Sequence, residues 1–343
     1  MMDSDKHPKS DSLWVRASRS TAFWMFMILL VLVLGFGLLS NNFVFFNYSN
    51  FFTIGLNASQ LVLLSVGMCF LLGAGQLDLS IGSNLMLASV LSAMTITSLA
   101  GTPEQIASGL YPNIGIAVFC GVVVAIASGA LFGLVNGLLV TRLNLSSFLV
   151  TIATTAIGLG LTLVISRGVN VPYIPRSLQS EFAIKKLFGV APYPVVLATL
   201  IVLLFWLILT TTRFGRHTIA IGSSEEAARR AGIRTDHHNV KLFVTMGVLA
   251  GIAALLDISR FAATNIGGHQ TDALQAIAAA VIGGTSLFGG VASVIGAAIG
   301  TFIPAVLANG LIILRIDPFY QLIAVGVIII VAVYIDQRNR SSR

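Results

Sequence analysis

Long apolar runs separated by short polar segments form the main pattern of this chain. A helix needs about 20 apolar residues to cross a bilayer. The runs lie at about 22–39, 51–73, 80–100, 114–140, 147–166, 194–212, 240–258, 272–284, 291–313 and 318–335. The eighth run, 272–284, is too short to cross comfortably. The pattern therefore predicts an all-α polytopic membrane protein with about ten transmembrane helices.

The composition agrees with a membrane protein. Of the 343 residues, 56% are hydrophobic and 10% are charged, and the mean hydropathy is +0.92. A soluble domain has about 25% charged residues, so this chain lacks the charge to cover a soluble fold. Cys69 and Cys120 both lie in apolar runs, which excludes a disulfide scaffold. The net charge of +7 comes from basic residues scattered between the runs, so no nucleic-acid partner is expected.

The basic residues predict the orientation, because cytoplasmic loops are enriched in Lys and Arg. The charged tail before the first run also suits a signal peptide, but no small-x-small cleavage pattern follows, and we interpret the run as a retained helix. With ten crossings and a cytoplasmic N-terminus, fourteen of the 20 Lys and Arg face the cytoplasm. The predicted organisation is a cytoplasmic tail at 1–20, one transmembrane domain at 21–337 with a cytoplasmic loop at 213–240, and a cytoplasmic tail at 338–343.

Small and polar residues recur at helical spacing inside several runs. Gly121, Gly129, Gly133 and Gly137 share one face of the fourth run, which we interpret as helix packing because small residues let helices approach closely in a bilayer. Hydroxyl and amide side chains in or near other runs are candidates for a translocation path, although each can instead bond its own or a neighbouring helix. These candidates are Asn57, Gln60, Asn84, Thr151, Thr155, Thr162 and Asn309.

The first informative motif, 75–83, joins the second and third runs on the predicted cytoplasmic side. Its Asp78 and Ser80 are favourable N-cap residues, and a negative charge suits the positive end of a helix dipole. An ionisable residue near the membrane is also a functional candidate. Asp78, Ser80 and Gly82 are therefore candidates for a structural or gating motif, with both interpretations open.

The second motif, 222–233, lies in the predicted cytoplasmic loop. Ser223 or Ser224 can cap a short helix that ends at Gly232, and two Glu–Arg pairs have the i,i+4 spacing of helical ion pairs. A charged helix between two membrane spans is either a docking element for a soluble partner or a solvated loop helix. The candidate docking residues are Glu225, Glu226, Ala228, Arg229, Arg230 and Gly232.

The third motif, 274–290, carries no charge. Paired glycines on both sides of a short turn predict a tight reversal between closely packed short helices. A phosphate-binding loop is excluded, because no Gly-Lys-Ser/Thr follows the glycines. The residues of this structural or gating motif are Gly283, Gly284, Thr285, Ser286, Gly289 and Gly290.

Together the three motifs resemble the permease subunits of ribose-type sugar ABC importers. That family typically shows Gly-x-x-Asp-Leu-Ser-x-Gly-Ser, matched by 75–83, and Ala-Ala-Arg-x-x-Gly-Ile, matched by 227–233. It also shows Ala-Ile-Ala-Ala-x-Val-Ile-Gly-Gly-Thr-Ser-Leu-x-Gly-Gly, matched by 276–290. Family members often carry acidic residues just before the third motif, whereas this chain has its acidic residue further upstream, at Asp272.

The resemblance implies a dimer of type II importer-like permeases in a bacterial inner membrane, with both termini cytoplasmic. The implied partners are a second permease copy or paralogue, the lipid bilayer, a cytoplasmic ATPase and an extracytoplasmic binding protein that delivers a monosaccharide. The 225–232 helix would be the coupling helix that docks on the ATPase. That partner would bind ATP and magnesium, so no cofactor, metal or catalytic residue is expected in this chain.

Two other classes are the main alternatives. An ion-coupled secondary transporter of a small polar solute would need ionisable residues inside the bundle. Asp257 and Arg260 stand three residues apart near the end of the seventh run, and we expect them to neutralise each other. An intramembrane enzyme is disfavoured, because the sequence has no His-Glu-x-x-His, Gly-x-Ser-x-Gly or paired membrane aspartates. The five histidines, His269 among them, lie in predicted tails or loops.

Overall fold

The chain forms a helical bundle in the computed structural model, which describes residues 21–317, 319–327, 330 and 334. Numbered in chain order, its helices are α1 (Thr21–Leu39), α2 (Tyr48–Gly73), α3 (Ile81–Ala100), α4 (Pro103–Ala107), α5 (Ile114–Arg142), α6 (Ser147–Ser166), α7 (Tyr193–Thr211), α8 (Arg213–Ser223), α9 (Glu225–Arg230), α10 (Thr235–Phe261), α11 (Asp272–Ile282) and α12 (Val294–Ile313). Residues 319–327 are also helical. The remaining elements are a 3₁₀ helix (Asn41–Phe46), a π-helical turn (Gln179–Ala183) and an antiparallel hairpin of β1 (Lys186–Leu187) and β2 (Ala191–Pro192).

Each predicted apolar run coincides with a helix, the last one within its described part. Seven helices are long and apolar enough to cross a membrane, by length and composition, within the described residues: α2, α3, α5, α6, α7, α10 and α12. The predicted tails 1–20 and 338–343, with the basic residues that orient the termini, lie outside the described residues. The all-α polytopic fold is therefore confirmed, with ten as an approximate number of crossings.

The eighth predicted run is a half-length helix. α11 has 11 residues, which at 1.5 Å per residue gives a length of about 16 Å, roughly half the thickness of a bilayer's hydrocarbon core. α12 has 20 residues and can span the core. The third motif therefore joins one short and one full-length helix, and the expectation of two short helices was wrong.

The helices divide into an enclosed group and a peripheral group. In the apolar 18-residue stretch of α2, 83% is buried inside the bundle. The corresponding shares for α10, α3 and α12 are 72%, 67% and 61%. The corresponding share in α5, α6 and α7 is 22–28%, and their outward faces carry exposed Leu, Ile, Val and Phe side chains. Large apolar side chains on the outside suit a helix that faces lipid. The polar residues of interest lie within or against the enclosed group.

The glycine stripe of α5 forms the contact between α5 and α10. A Cβ at Gly133 would overlap the carbonyl oxygen of Phe243, and Gly129 and Gly247 pack against each other's backbone in the same way. Apolar burial adds little to helix association in lipid, so close backbone approach by small residues takes its place. The stripe therefore packs two helices together, as interpreted from its spacing.

We expect the Gly133→Leu substitution to destabilise the protein by about 3 kcal/mol, the upper end for overpacking, because α5 and α10 must separate. The matched control is Gly160→Leu in α6, where nothing lies within 4 Å of an added Cβ. The measurement is the thermal unfolding midpoint of both variants in detergent. Equal midpoints would contradict the assignment of the α5–α10 contact as a close glycine interface.

Candidate functional site

The second and third motifs meet the end of α2 at one end of the bundle. The carbonyl oxygen of Gly73, the last residue of α2, accepts a hydrogen bond of 3.0 Å from the amide of Gly290. Gly222, near the end of α8, lies so close that a Cβ there would overlap the Gly73 carbonyl. Gly289 adopts a φ of +86°, and a Cβ there would lie 2.6 Å from the carbonyl oxygen of Gly222. These four residues, here called the glycine junction, join α2, the predicted cytoplasmic loop and the reversal after α11.

The reversal after α11 is held by contacts to α2 and α12. The Thr285 hydroxyl donates to the Cys69 sulfur at 3.3 Å and accepts from the Ser293 amide at 3.2 Å. Gly283 packs directly on the backbone of Gly296. The end of α11 is therefore in close contact with the first turn of α12. The predicted motif residues Gly283, Gly284, Thr285, Ser286, Gly289 and Gly290 all lie in this reversal.

The first motif places a buried carboxylate before α3. Asp78 is 2% exposed, and its Oδ1 accepts hydrogen bonds from the Ser80 amide at 2.8 Å and the Ser80 hydroxyl at 2.5 Å. The Ser80 oxygen in turn accepts from the Asn136 side chain of α5 at 2.8 Å. Burial raises the pKa of Asp78, and the hydrogen bonds from Ser80 oppose that shift. The three side chains form a polar relay that ties the start of α3 to α5.

A side-chain cap on α3 from Ser80, one of the two interpretations that the sequence left open, is not found. Ser80 occupies the N-cap position, but its hydroxyl makes no bond to a helix amide and donates to Asp78 instead. The reason is Asn136, because its amide donates to the same hydroxyl oxygen and orients it. A contact between α3 and α5 therefore replaces the local cap.

The second motif forms the short helix α9 with the expected local bonds. Ser224 caps it by accepting from the Ala227 amide at 3.2 Å, and Gly232 follows its end with a φ of +85°. The Arg229 guanidinium lies 3.2 Å from the Glu225 carboxylate, and Arg230 pairs with Glu226.

The charged side of α9 faces outward. The side chains of Arg230 and Glu226 are 79% and 77% exposed, whereas Ala228 is buried against the bundle. Arg229 also bonds the Asp236 carboxylate at 3.0 Å, which ties α9 to the start of α10. The charged surface of α9 is therefore exposed and held in a fixed position. α9 begins three residues after Gly222 of the glycine junction.

Several path candidates bond within the bundle. Asn84 donates to the Gly129 carbonyl of α5 at 3.2 Å, and Asn309 donates to the Asn50 side chain. The three candidate threonine hydroxyls donate to carbonyls four residues earlier in α6, at 2.6–2.8 Å. These bonds are the alternative that the sequence left open, so a place in the path stays a prediction for Asn84, Asn309, Thr151, Thr155 and Thr162.

Gln60 differs, because it meets charged residues that sequence reasoning missed. Its Nε2 donates to Asp272 Oδ2 at 3.1 Å and lies 3.2 Å from His269 Nδ1. His269 Nδ1 also lies 2.9 Å from Asp272 Oδ2, and His269 Nε2 lies 3.4 Å from Asp257 Oδ2. Asp257, His269 and Asp272, here called the Asp–His–Asp cluster, are all buried. Asn57, one turn before Gln60 on α2, is half-buried.

The expected pairing of Asp257 with Arg260 was wrong. Asp257 faces His269, and the Arg260 guanidinium lies over the Phe261 ring, 4.6 Å from its centre. The two carboxylates on either side of the His269 ring favour its protonated form, because an opposite charge nearby stabilises the charged state. The sequence carries little sign of the His269–Asp257 contact. The loop between α10 and α11 brings the two residues together, and helical spacing cannot predict a contact made through a loop.

Among the described residues, no three His, Cys, Asp or Glu side chains are arranged to hold a metal ion. The Asp–His–Asp cluster does not have the geometry of a metal site. Each ring nitrogen of His269 faces a carboxylate, so the three side chains do not point toward one common ion position.

A cleft of about 590 Å³ opens at the end of the bundle opposite the glycine junction. It lies among the segments that follow α4, α6 and α10, and its polar lining includes Tyr111, Tyr173, Arg176 and Gln179. Gln179 also donates to the Arg260 carbonyl oxygen at 2.6 Å, which fixes one wall. The two ends of the bundle therefore carry different polar features.

The membrane-length helices, with the half-length helix among them, define a multi-pass helical membrane protein. The chain belongs to the family described as branched-chain amino acid transport system / permease component, whose model matches residues 50–333.

Individual relatives match over most of the chain. The D-allose transport system permease protein of Escherichia coli (strain K12) is 33% identical over 96% of this chain and 97% of the relative. The ribose import permease protein of Bacillus subtilis (strain 168) is 33% identical over 81% of each chain. The galactose/methyl galactoside import permease protein of Haemophilus influenzae is 34% identical over 85% of this chain and 87% of the relative. No solved structure gives a significant match.

We expect the Ser80→Ala substitution to destabilise the protein by about 1–3 kcal/mol, because it leaves the buried Asn136 amide without its acceptor and removes a donor from Asp78. The control is Ser89→Ala, a buried serine in α3 whose hydroxyl bonds only the Met86 carbonyl. Chemical unfolding in detergent measures both variants. A Ser80→Ala protein as stable as the Ser89→Ala protein would contradict the polar relay.

Proposed function

We propose that this chain is the membrane-spanning permease subunit of an ATP-driven importer that moves a monosaccharide into the cell. The observation that carries the proposal is the glycine junction, where the loop holding α9 meets α2 and the reversal after α11 through backbone contacts. A force applied to α9 from the cytoplasm would pass directly to an enclosed helix and to the half-length helix.

A sugar is the substrate class that the relatives support. The family description names branched-chain amino acid transport, but the three relatives above carry the names of allose, ribose and galactose permeases. The three sequence motifs point to the same sugar-importing branch. A monosaccharide is neutral and rich in hydroxyl groups, which suits a bundle whose interior polar groups are mostly amides and hydroxyls.

The ATPase is proposed to dock on α9. Its exposed Glu and Arg side chains offer both signs of charge to a partner, while Ser224 and Asp236 hold the helix in place. The sequence has no Walker motif, so ATP and magnesium belong to the partner. ATP binding would favour one of two arrangements of the permease. The equilibrium between them would shift by the difference in the free energy with which the ATP-bound partner binds each arrangement.

The opposite end is proposed to receive the binding protein. The cleft described above lies there, and its lining includes Tyr111, Tyr173, Arg176 and Gln179. Aromatic and polar side chains of this kind suit contact with the surface of a sugar-loaded binding protein. This orientation places both termini in the cytoplasm, in agreement with the basic residues of the 213–240 loop. A second permease copy or paralogue would complete a central path.

The test of this proposal is sugar uptake into proteoliposomes that contain the permease, its ATPase and its binding protein. We expect the double substitution Arg229→Glu with Arg230→Glu to reduce ATP-dependent uptake by about tenfold or more, because loss of docking contacts worth about 1.4 kcal/mol lowers complex formation tenfold. The matched control is Lys185→Glu, which breaks another exposed i,i+4 pair, with Glu181, on the proposed opposite side of the membrane.

Unchanged uptake and unchanged ATPase binding in the double variant would refute the docking role of α9. Uptake that stops with an uncoupler while ATP is maintained would point instead to an ion-coupled secondary transporter. Under the proposed mechanism, uptake continues with the uncoupler and stops when ATP is removed.

A further inference from the structure

The Asp–His–Asp cluster joins three separate parts of the bundle. Asp257 belongs to α10, His269 to the loop that follows it, and Asp272 to the first turn of α11. Gln60 adds a contact from α2, and the first turn of α3 closes the other side, since a Cβ at Gly82 would overlap the His269 carbonyl oxygen. A residue of the first motif and the start of the half-length helix are therefore packed around one charged group.

The cluster lies deep in the bundle. Gln60 stands 13 residues before Gly73 in α2, which places it about 20 Å along the helix from the glycine junction. The loop between α10 and α11 is irregular backbone at this depth. Such backbone is tolerated within a membrane where it is buried in protein or lines a water-filled cavity.

Asp257 has hydrogen-bonding capacity that the described protein does not use. The residue is 1% exposed, and neither carboxylate oxygen has a hydrogen-bond donor among the described residues. His269 Nε2 likewise makes no hydrogen bond there, and its 3.4 Å separation from Asp257 Oδ2 is an ion-pair contact. A buried carboxylate without donors is costly, whereas donors from a bound molecule would stabilise it.

One edge of the cluster is accessible, at Asp272, while the carboxylate oxygens of Asp257 and Nε2 of His269 lie buried behind it. The Asp272 side chain is 12% exposed, and Gln60, Thr271 and Gln275 around it are half-buried. Gln275 donates to the Thr271 hydroxyl at 3.0 Å, and Asn57 lies one turn from Gln60 on the same face of α2. The edge of the cluster is therefore polar, with amide and hydroxyl groups next to the buried charges.

We propose that Asp257, His269, Asp272 and Gln60 form a binding site for the hydroxyl groups of the transported sugar, a stopping point within the permease. This inference rests on the proposed function. The carboxylates of Asp257 and Asp272 accept hydrogen bonds from sugar hydroxyls, while His269 and Gln60 donate to them. No covalent bond forms or breaks. The contacts between His269 and both carboxylates keep the acceptors in place when the site is empty.

The test uses an introduced thiol next to the site as a reporter. Asn57→Cys is combined with Cys120→Ser, since Cys69 is buried and Cys120 is partly accessible. The complete importer, with its ATPase and binding protein, is treated with a water-soluble maleimide, with and without D-ribose, D-allose or D-galactose. Leu131→Cys, at an exposed apolar position on α5, is the lipid-facing control.

We expect the thiol of Asn57→Cys to react and the thiol of Leu131→Cys to stay unlabelled. A transported sugar should slow the labelling at position 57 about fivefold when it is present at four times its dissociation constant. That protection should disappear in Asp257→Asn. Gln60→Leu, which leaves both carboxylates and His269 in place, serves the same purpose if Asp257→Asn does not fold.

Several outcomes would overturn the site. These are no labelling at position 57, protection that persists in both Asp257→Asn and Gln60→Leu, and protection by sodium chloride but by no sugar. Uptake by the unmodified importer separates this inference from the proposed function. If sugar enters with ATP but protection does not depend on the cluster, only the site is wrong. If none of the sugars enters, the proposed function fails first.

Discussion

Backbone contact at glycine is the interaction on which this bundle depends. Lipid removes most of the hydrophobic drive between helices, so the chain brings backbones together where side chains are absent. α5 and α10 meet through Gly129, Gly133 and Gly247, and the glycine junction joins α2 to the loop and the reversal after α11. The same type of contact that packs the bundle also links the exposed helix α9 to its interior.

Two buried polar groups stand against this apolar background, and each connects segments that glycine packing brings close. The Asp78, Ser80 and Asn136 relay ties the start of α3 to α5, and every link in it is a hydrogen bond of 2.5–2.8 Å. The Asp–His–Asp cluster is less satisfied, since Asp257 has no hydrogen-bond donor among the described residues. In the relay, Asn136 Oδ1 is the buried atom without a hydrogen-bond partner, whereas in the cluster both carboxylate oxygens of Asp257 and Nε2 of His269 lack one within the described part of the chain. A buried charged group with unused acceptors suits a group that meets a ligand.

Local features were predictable and distant contacts were not. The cap, ion pairs and end of α9 depend on residues within four positions of one another, so helical spacing was enough to predict them. Ser80 was a candidate cap for α3, but its hydroxyl bonds Asp78 and Asn136, the latter 56 residues away. Asp257 was expected to pair with Arg260, but its contact is with His269, which a loop without a periodic pattern brings close. Of the path candidates, Gln60 alone reaches charged groups of another segment in the described contacts.

The sequence by itself determined the membrane-spanning helical class, the approximate position of each apolar helix, the short eighth run and the family resemblance. These properties follow from apolar run length and from motifs that are contiguous in the chain. Only the tertiary structure decided that the second and third motifs meet the end of α2 at one junction and that Asp257, His269 and Asp272 form a cluster with Gln60. The physical reason is that these contacts join helices and loops far apart in the chain, where packing geometry and not periodicity sets the partner.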